Sequence, residues 1–263
     1  MIKYNYPFVF IDNKKEYASP ILFIHGFNSS SNAHNIFANK WKDNNYYAIS
    51  LPGCSMVEPK DDDSANLKTY VKLIINFIKQ NNLKNIIIFG HSMGGALAAL
   101  VYSQIPEVFS KIVLIAPMNK TSLVLKDKFQ KYFLPKNIDE YKTYLKILTY
   151  NIDDFLEHSD FFKITNEKID FNFYNNLHIQ ELAKSLVDKQ QHILVDKAYK
   201  SIKIPTLLIL GEKDGIIMQE KCINYFKKTI KNIKIQIIPK TGHLIYLENF
   251  SNYYKKIKSF LND

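Results

Sequence analysis

Apolar residues fall in short, nearly unbroken runs: Ile21–Ile24, Tyr46–Leu51, Ile86–Phe89, Lys111–Ala116, Thr206–Leu210 and Ile233–Ile238. Each is too short for a helix and rich in Ile, Val or Phe. Strands covered on both faces, as in a parallel sheet, have this composition. Between several of them the period changes. Leu67–Asn81 sets Leu67, Tyr70, Val71, Ile74, Ile75 and Ile78 on one helical face. Gly94–Ile105, rich in Ala and Leu, predicts a buried helix, and Gln219–Thr229 and Phe250–Leu261 predict two more. The alternation predicts an α/β fold: a doubly wound, mostly parallel sheet flanked by helices.

That rhythm breaks over residues 118–200. The segment is aromatic and dense in both charges, with helical spacing at Tyr141–Leu148 and Ile179–Leu186 and no apolar strand. It predicts a core formed by 1–117 and 201–263, interrupted by a helical insertion at 118–200. No internal repeat or Pro/Gly/Ser-rich linker marks a further boundary.

Composition narrows the function classes. With 46% hydrophobic residues over 263 positions, the chain has the apolar content for a sizeable core. Its eight glycines all lie outside the insertion, so they mark where the backbone is most constrained. The net charge of +10 is carried by Lys alone; without Arg there is no bidentate clamp for phosphate or guanine. Residues 201–263 hold 11 Lys against 5 acids, which reads as a solvated face, with weak attraction to an anionic membrane as the competing reading. No nucleic-acid partner is expected, and the oligomeric state is left open. Two cysteines, Cys54 and Cys222, make no disulfide framework. The start of the chain lacks the apolar stretch of a signal peptide, and no run reaches membrane-spanning length, so a cytoplasmic protein is expected. Neither a metal motif (HExxH, paired CxxC) nor a nucleotide loop (P-loop, GxGxxG) occurs, so no metal and no cofactor is expected.

The chemistry concentrates at Gly90-His91-Ser92-Met93-Gly94-Gly95, between a predicted strand and a predicted helix. This is G-x-S-x-G in the context it requires. The strand-to-helix turn is so tight that positions two before and two after the Ser must lack side chains. The Ser is then held strained and exposed, with a helix N-terminus aimed at the same spot, which favours a developing anion.

On these residues the chain resembles the α/β-hydrolase superfamily, in its serine esterase/lipase (monoacylglycerol lipase-like) branch. The resemblance extends over nearly all of the chain outside 118–200. It implies a nucleophile, an acid and a base in that chain order, each following a strand. Ser92 fits the first. Asp214, in Gly211-Glu212-Lys213-Asp214-Gly215, fits the second, with Glu212, Asp153 and Asp154 as competing acids. His243, in Thr241-Gly242-His243, fits the third. The resemblance further implies an oxyanion hole from the backbone amides of Met93 and Phe27, the latter in His25-Gly26-Phe27. His25 and Gly26 would support that loop, as Gly90 and Gly94 support the turn, and His91 would pack under it. The family's Asp-x-Pro-Gly-His-Gly-x-Ser turn appears here as Ser50-Leu51-Pro52-Gly53-Cys54-Ser55, with Ser and Cys in place of its acid and His.

The implied activity is hydrolysis of carboxylic esters through an acyl-enzyme on Ser92. The expected partner is a small-molecule ester with a small or medium acyl group, extending to a monoacylglycerol or a lysolipid. A thioesterase or acyltransferase with the same triad, and a ligand-binding protein with little turnover, are the alternatives. The insertion would follow the sixth sheet strand in the family's order and act as a cap, or lid. Its aromatic residues Phe129, Tyr132, Phe133, Tyr141, Tyr144, Phe155, Phe161, Phe162, Phe171, Phe173 and Tyr174 would fill its core and the seam with the sheet domain, with a few lining an acyl pocket.

Overall fold

The six apolar runs are strands β2 (Ile21–Ile24), β3 (Tyr46–Ile49), β4 (Ile86–His91), β5 (Phe109–Ile115), β6 (Thr206–Gly211) and β7 (Ile233–Ile238) in a computed structural model that describes residues 3–60, 62–158 and 169–263. They pair in parallel in the order β3-β2-β4-β5-β6-β7. Every residue of β2, β4 and β6 is buried, which is why these runs contain no alternation. A seventh strand, β1 (Phe8–Ile11), pairs antiparallel with β3 at the sheet edge. Its run is apolar too, but at an edge this does not mean burial: Phe8 and Phe10 are both 47% exposed.

The helical periods are also realised. Helix α1 (Asn35–Lys40) follows a 3-10 turn at Ser31–His34, and α2 (Leu67–Gln80) starts where the Asn66 side chain accepts the Thr69 amide. The Ala- and Leu-rich segment forms α3 (Met93–Tyr102), buried along nearly its whole length. The sheet leaves β5 for the insertion and returns at β6. Among the described residues the insertion contains helices only: a 3-10 segment at Lys120–Leu125, then α4 (Lys126–Tyr132), α5 (Ile138–Leu148), α6 (Ile152–His158), α7 (Asn172–Asn175), α8 (Leu177–Leu186) and α9 (Lys189–Ser201). Phe161 and Phe162 lie outside the described residues. Three further helices complete the chain: α10 (Gln219–Thr229), α11 (Ile245–Glu248) and α12 (Phe250–Asn262).

Two groups of helices cover the sheet. Helices α2, α3 and α9 pack together, with Tyr199 of α9 donating its hydroxyl to the Met118 carbonyl at 2.9 Å. Helices α1 and α12 meet through Phe37, Trp41, Tyr253 and Tyr254. The helices between β5 and β6 add a smaller apolar cluster around Tyr141, Leu145 and Phe155, against which Leu244 and Leu247 also pack. No helix among the described residues is long and apolar enough to cross a membrane.

Candidate active site

Ser92 sits between β4 and α3 with φ 54° and ψ −118°, a conformation that L-residues adopt only under external constraint. The constraint is visible on both sides. Its amide donates to the Ile115 carbonyl at 2.9 Å, and its carbonyl accepts from Met118 at 2.9 Å, so the end of β5 clamps the turn. A Cβ on Gly90 would fall 2.3 Å from the Gly94 carbonyl oxygen, and one on Gly94 would fall 2.1 Å from that of Ile24. The close packing the motif demands is therefore partly against β2. Gly26 lies beside the same serine: a Cβ there would meet Ser92 Cβ at 3.1 Å. Met93 is the first residue of α3, where an amide has no partner within its own helix.

Asp214 and His243 come together after β6 and β7. His243 Nδ1 lies 2.7 Å from Asp214 Oδ2, with both side chains almost wholly buried. A carboxylate only accepts, so Nδ1 donates, and in the neutral imidazole this tautomer leaves the lone pair on Nε2. Asp214 Oδ1 accepts the amides of Ile216 at 2.8 Å and Ile217 at 2.9 Å, which fixes the carboxylate plane. The competing acids lie elsewhere. Glu212 accepts the Lys240 amide at 2.8 Å, and Asp153 and Asp154 are exposed in the first turn of α6. Ser92 and His243 line one cavity of about 680 Å3; Phe27 and Ser92 also line a second of about 60 Å3, beside Met93.

The remaining histidines near the site are structural in their contacts. The Leu51 amide donates to His25 Nε2 at 3.1 Å, which leaves Nδ1–H to donate to the Gly26 carbonyl at 2.7 Å. Burial lowers the pKa of His25 from 6.5 to about 4, so it is neutral. His91 packs beside His243, with ring centres 4.8 Å apart, and its Nε2 lies 3.1 Å from the His243 carbonyl. In the altered turn, Ser50 donates to the Ser31 hydroxyl at 2.9 Å, which ties the two loops together. Both cysteines are free and buried, and burial pushes their thiols up, to about 11 for Cys54 and about 12 for Cys222. Neither is suited to act as a nucleophile. Among the described residues, no group of His, Cys, Asp and Glu gathers closely enough to hold a metal ion.

Two contacts at the base loop had no marker in the sequence. The His243 amide donates to the Leu148 carbonyl at 2.7 Å, at the C-terminal end of α5 in the insertion. Glu248 accepts the Gly242 amide at 2.7 Å through one oxygen and the Tyr150 amide at 2.6 Å through the other. It thus pins the residue before His243 to the chain just after α5. Burial raises the Glu248 pKa, while the two amides counteract this by favouring the charged form. An acid five residues after a histidine is too common a pattern to have pointed to this role.

A strained serine at a strand–helix turn and a buried Asp–His pair thus border one cavity on a mostly parallel sheet. The family model described as the alpha/beta hydrolase fold matches residues 19–250, and the chain belongs to that family. It is 31% identical over 252 residues to "Putative esterase/lipase 2" of Mycoplasma pneumoniae, covering 92% of this chain and 88% of the relative. The protein of the same name from Mycoplasma genitalium is 31% identical over 245 residues, covering 89% and 86%. Among solved structures, a "putative lipase" from Acinetobacter baumannii superimposes with a TM-score of 0.80 at 23% identity, over 94% of this chain and 84% of that one, a likeness of fold.

Proposed function

We propose that this chain is a serine hydrolase of carboxylic esters. One observation carries the reading: Ser92, strained at the head of α3, shares a cavity with His243, whose Nδ1 is held by Asp214. The relatives named esterase/lipase support it. In the first half-reaction Ser92 Oγ attacks the ester carbonyl carbon while His243 Nε2 takes the hydroxyl proton. The amides of Phe27 and Met93 receive the developing oxyanion. As the tetrahedral intermediate collapses, the C–O bond to the alcohol breaks and His243 gives the proton to the leaving oxygen. Water then repeats the sequence on the acyl-enzyme, releasing the acid and free Ser92. Asp214 orients the imidazole and stabilises its charged form without itself taking the proton.

In this reading residues 118–200 form a cap over a core of 1–117 and 201–263. Phe129 and Phe133 of the cap pack on Phe27 of the oxyanion loop, with ring centres 5.3 and 6.4 Å away, so the cap closes directly on the reacting groups. Substituting Ser92→Ala is expected to lower kcat for an activated ester by ~10^4-fold or more with the fold retained. A serine-directed phosphonate should add its mass to the parent chain and not to the Ser92→Ala chain. Equal labelling of both would overturn the assignment.

A further inference from the structure

The two cavities at Ser92 differ in which reacting groups they contain. Both are bounded by Ser92, Phe27 and Phe133, and they part at these residues. The smaller runs past Met93 toward Met118, Leu186, Ile216 and Ile217, and His243 is not among its walls. The larger is the one His243 lines, together with His91, Tyr246 and Leu247. This asymmetry sets the direction of the substrate. The leaving oxygen must receive its proton from His243, so the alcohol portion has to lie on the side that His243 lines. The acyl carbon stays bonded to Ser92 with its oxygen toward the amides of Phe27 and Met93. Its tail is then directed into the other cavity, past Met93.

The sizes of the two spaces make that direction selective. The acyl side is the narrow one, about 60 Å3, and suits a short chain. Its walls are mostly aliphatic and aromatic, with Ser122, Lys126 and His192 as the polar members besides Ser92, so the chain it accepts is largely apolar. The alcohol side, about 680 Å3, is more than ten times larger. One flank carries Tyr141, Tyr144 and Tyr174, packed on one another with ring centres 5.6 to 6.1 Å apart. The other carries polar residues of the oxyanion loop, among them Asn28 and Ser29, and Asp170 stands at the wall. Aromatic faces and uncharged hydrogen-bonding groups suit a bulky neutral alcohol, and the Asp170 carboxylate disfavours an anionic one.

We infer that the substrates are esters of a short acyl group with a bulky, uncharged aromatic alcohol, the acyl chain entering the cavity past Met93 and the alcohol the tyrosine-lined one. A long-chain monoacylglycerol or lysolipid has the opposite proportions. The inference rests on the serine-hydrolase reading above, and it adds which part of the ester goes where.

Four matched esters test it: butyrate and dodecanoate, each of 2-naphthylmethanol and of ethanol, with kcat/KM measured for all four on phosphonate-titrated protein. Naphthylmethyl butyrate should be the best substrate, and the dodecanoates should fall ~10-fold or more below the butyrates with either alcohol. Two wall substitutions separate the subsites. Leu186→Ala, or Met118→Ala if the first does not fold, should raise the dodecanoate-to-butyrate ratio ~5-fold or more and leave the naphthylmethyl-to-ethyl ratio where it was. Tyr174→Ala should lower the naphthylmethyl-to-ethyl ratio and leave the dodecanoate-to-butyrate ratio where it was. Ethyl dodecanoate as the best of the four would overturn the inference, as would a Tyr174→Ala chain whose chain-length preference changes. So would a chain that labels at Ser92 and turns over none of them. A chain that does not label at all overturns the hydrolase reading itself, which keeps the two failures apart.

Discussion

Ser92 and His243 face one cavity, yet the chain holds them in place by different means. The serine turn is fixed by its own glycines and by the ends of the two neighbouring strands: Gly90 against Gly94, Gly94 against Ile24, and Ser92 between Ile115 and Met118. The base loop leans on a distant segment. A Cβ on Gly242 would lie 2.5 Å from the Leu148 carbonyl oxygen, the His243 amide binds that same oxygen, and Glu248 joins Gly242 to Tyr150. The glycine pattern alone suggests that the active-site loops, and not the insertion, impose the strict backbone requirement. Around His243 the two are inseparable, because the backbone that excludes a side chain at Gly242 belongs to the insertion. The end of α5 is thus part of the frame that holds the loop carrying His243.

Matched alanine substitutions should separate the two regions most widely. In Gly94→Ala the new methyl meets the carbonyl oxygen at the end of a fully buried strand, which cannot retreat. A loss of more than ~4 kcal/mol is expected, enough to prevent accumulation of folded protein. In Gly242→Ala the obstacle is the chain leaving α5, which can shift outward, at a cost of about 2 kcal/mol. Its kcat should fall far more than its KM changes, because His243 moves with Leu148. The yield of folded Gly94→Ala protein, set against urea unfolding and steady-state kinetics of Gly242→Ala, decides the matter. Equal destabilisation would show that the insertion is as rigid here as the sheet, and the contrast would be lost.

The difference also explains what could be read from the sequence. Five consecutive residues specify the turn at Ser92, and apolar runs specify the six parallel strands, because both are consequences of short-range geometry and uniform burial. Asp214 and His243 could be placed by chain order and flanking glycines. Glu248 and Leu148 could not: their role depends on a contact between α5 and a loop nearly a hundred residues later, and neither residue type is unusual where it stands. Strand β1 was missed for another reason. Its composition matches the other strands, but it lies at the edge, outside the helix–strand alternation that drew attention to them. Phe161 and Phe162, assigned to the cap from composition, lie outside the described residues.

Acid should strain the serine side before the base loop is tested. His25 is buried and neutral, braced between the Leu51 amide and the Gly26 carbonyl, with its pKa lowered from 6.5 to about 4. His34, beneath β2 and stacked on Phe23 and Phe37, is lowered to about 3 by burial. Between these values and 6.5 the unfolded chain binds protons that the folded chain refuses. Their stabilising contribution is therefore complete above pH 6.5 and is lost as pH falls toward 4, by about 3 kcal/mol for His25 alone. Urea midpoints taken from pH 7 to pH 4 should drop accordingly. A flat profile would mean that water reaches His25, and that the oxyanion loop is less firmly held than the geometry requires.

The smallest expected effect separates two carboxylates near the base. Glu212 and Glu248 each accept backbone amides of the loop that carries His243, but Glu212 is exposed and binds one amide, at Lys240, whereas Glu248 is half-buried and binds two. In Glu248→Gln the amide NH2 must face one of two backbone N–H groups that still need an acceptor, which costs about 1–2 kcal/mol. Glu212→Gln keeps its single acceptor in water and should cost less than ~0.5 kcal/mol. A purely structural role for Glu248 would end there. If it aims His243 by fixing Gly242 to Tyr150, then Glu248→Gln should also lower kcat several-fold at unchanged KM, measured well below its unfolding midpoint. Glu248→Asp, too short to span both amides, should do the same, whereas Glu212→Gln should leave kcat unmoved. Parallel loss of kcat in the Glu212 and Glu248 variants would instead place the sensitivity in the whole loop, and the link between α5 and the base would carry no special weight.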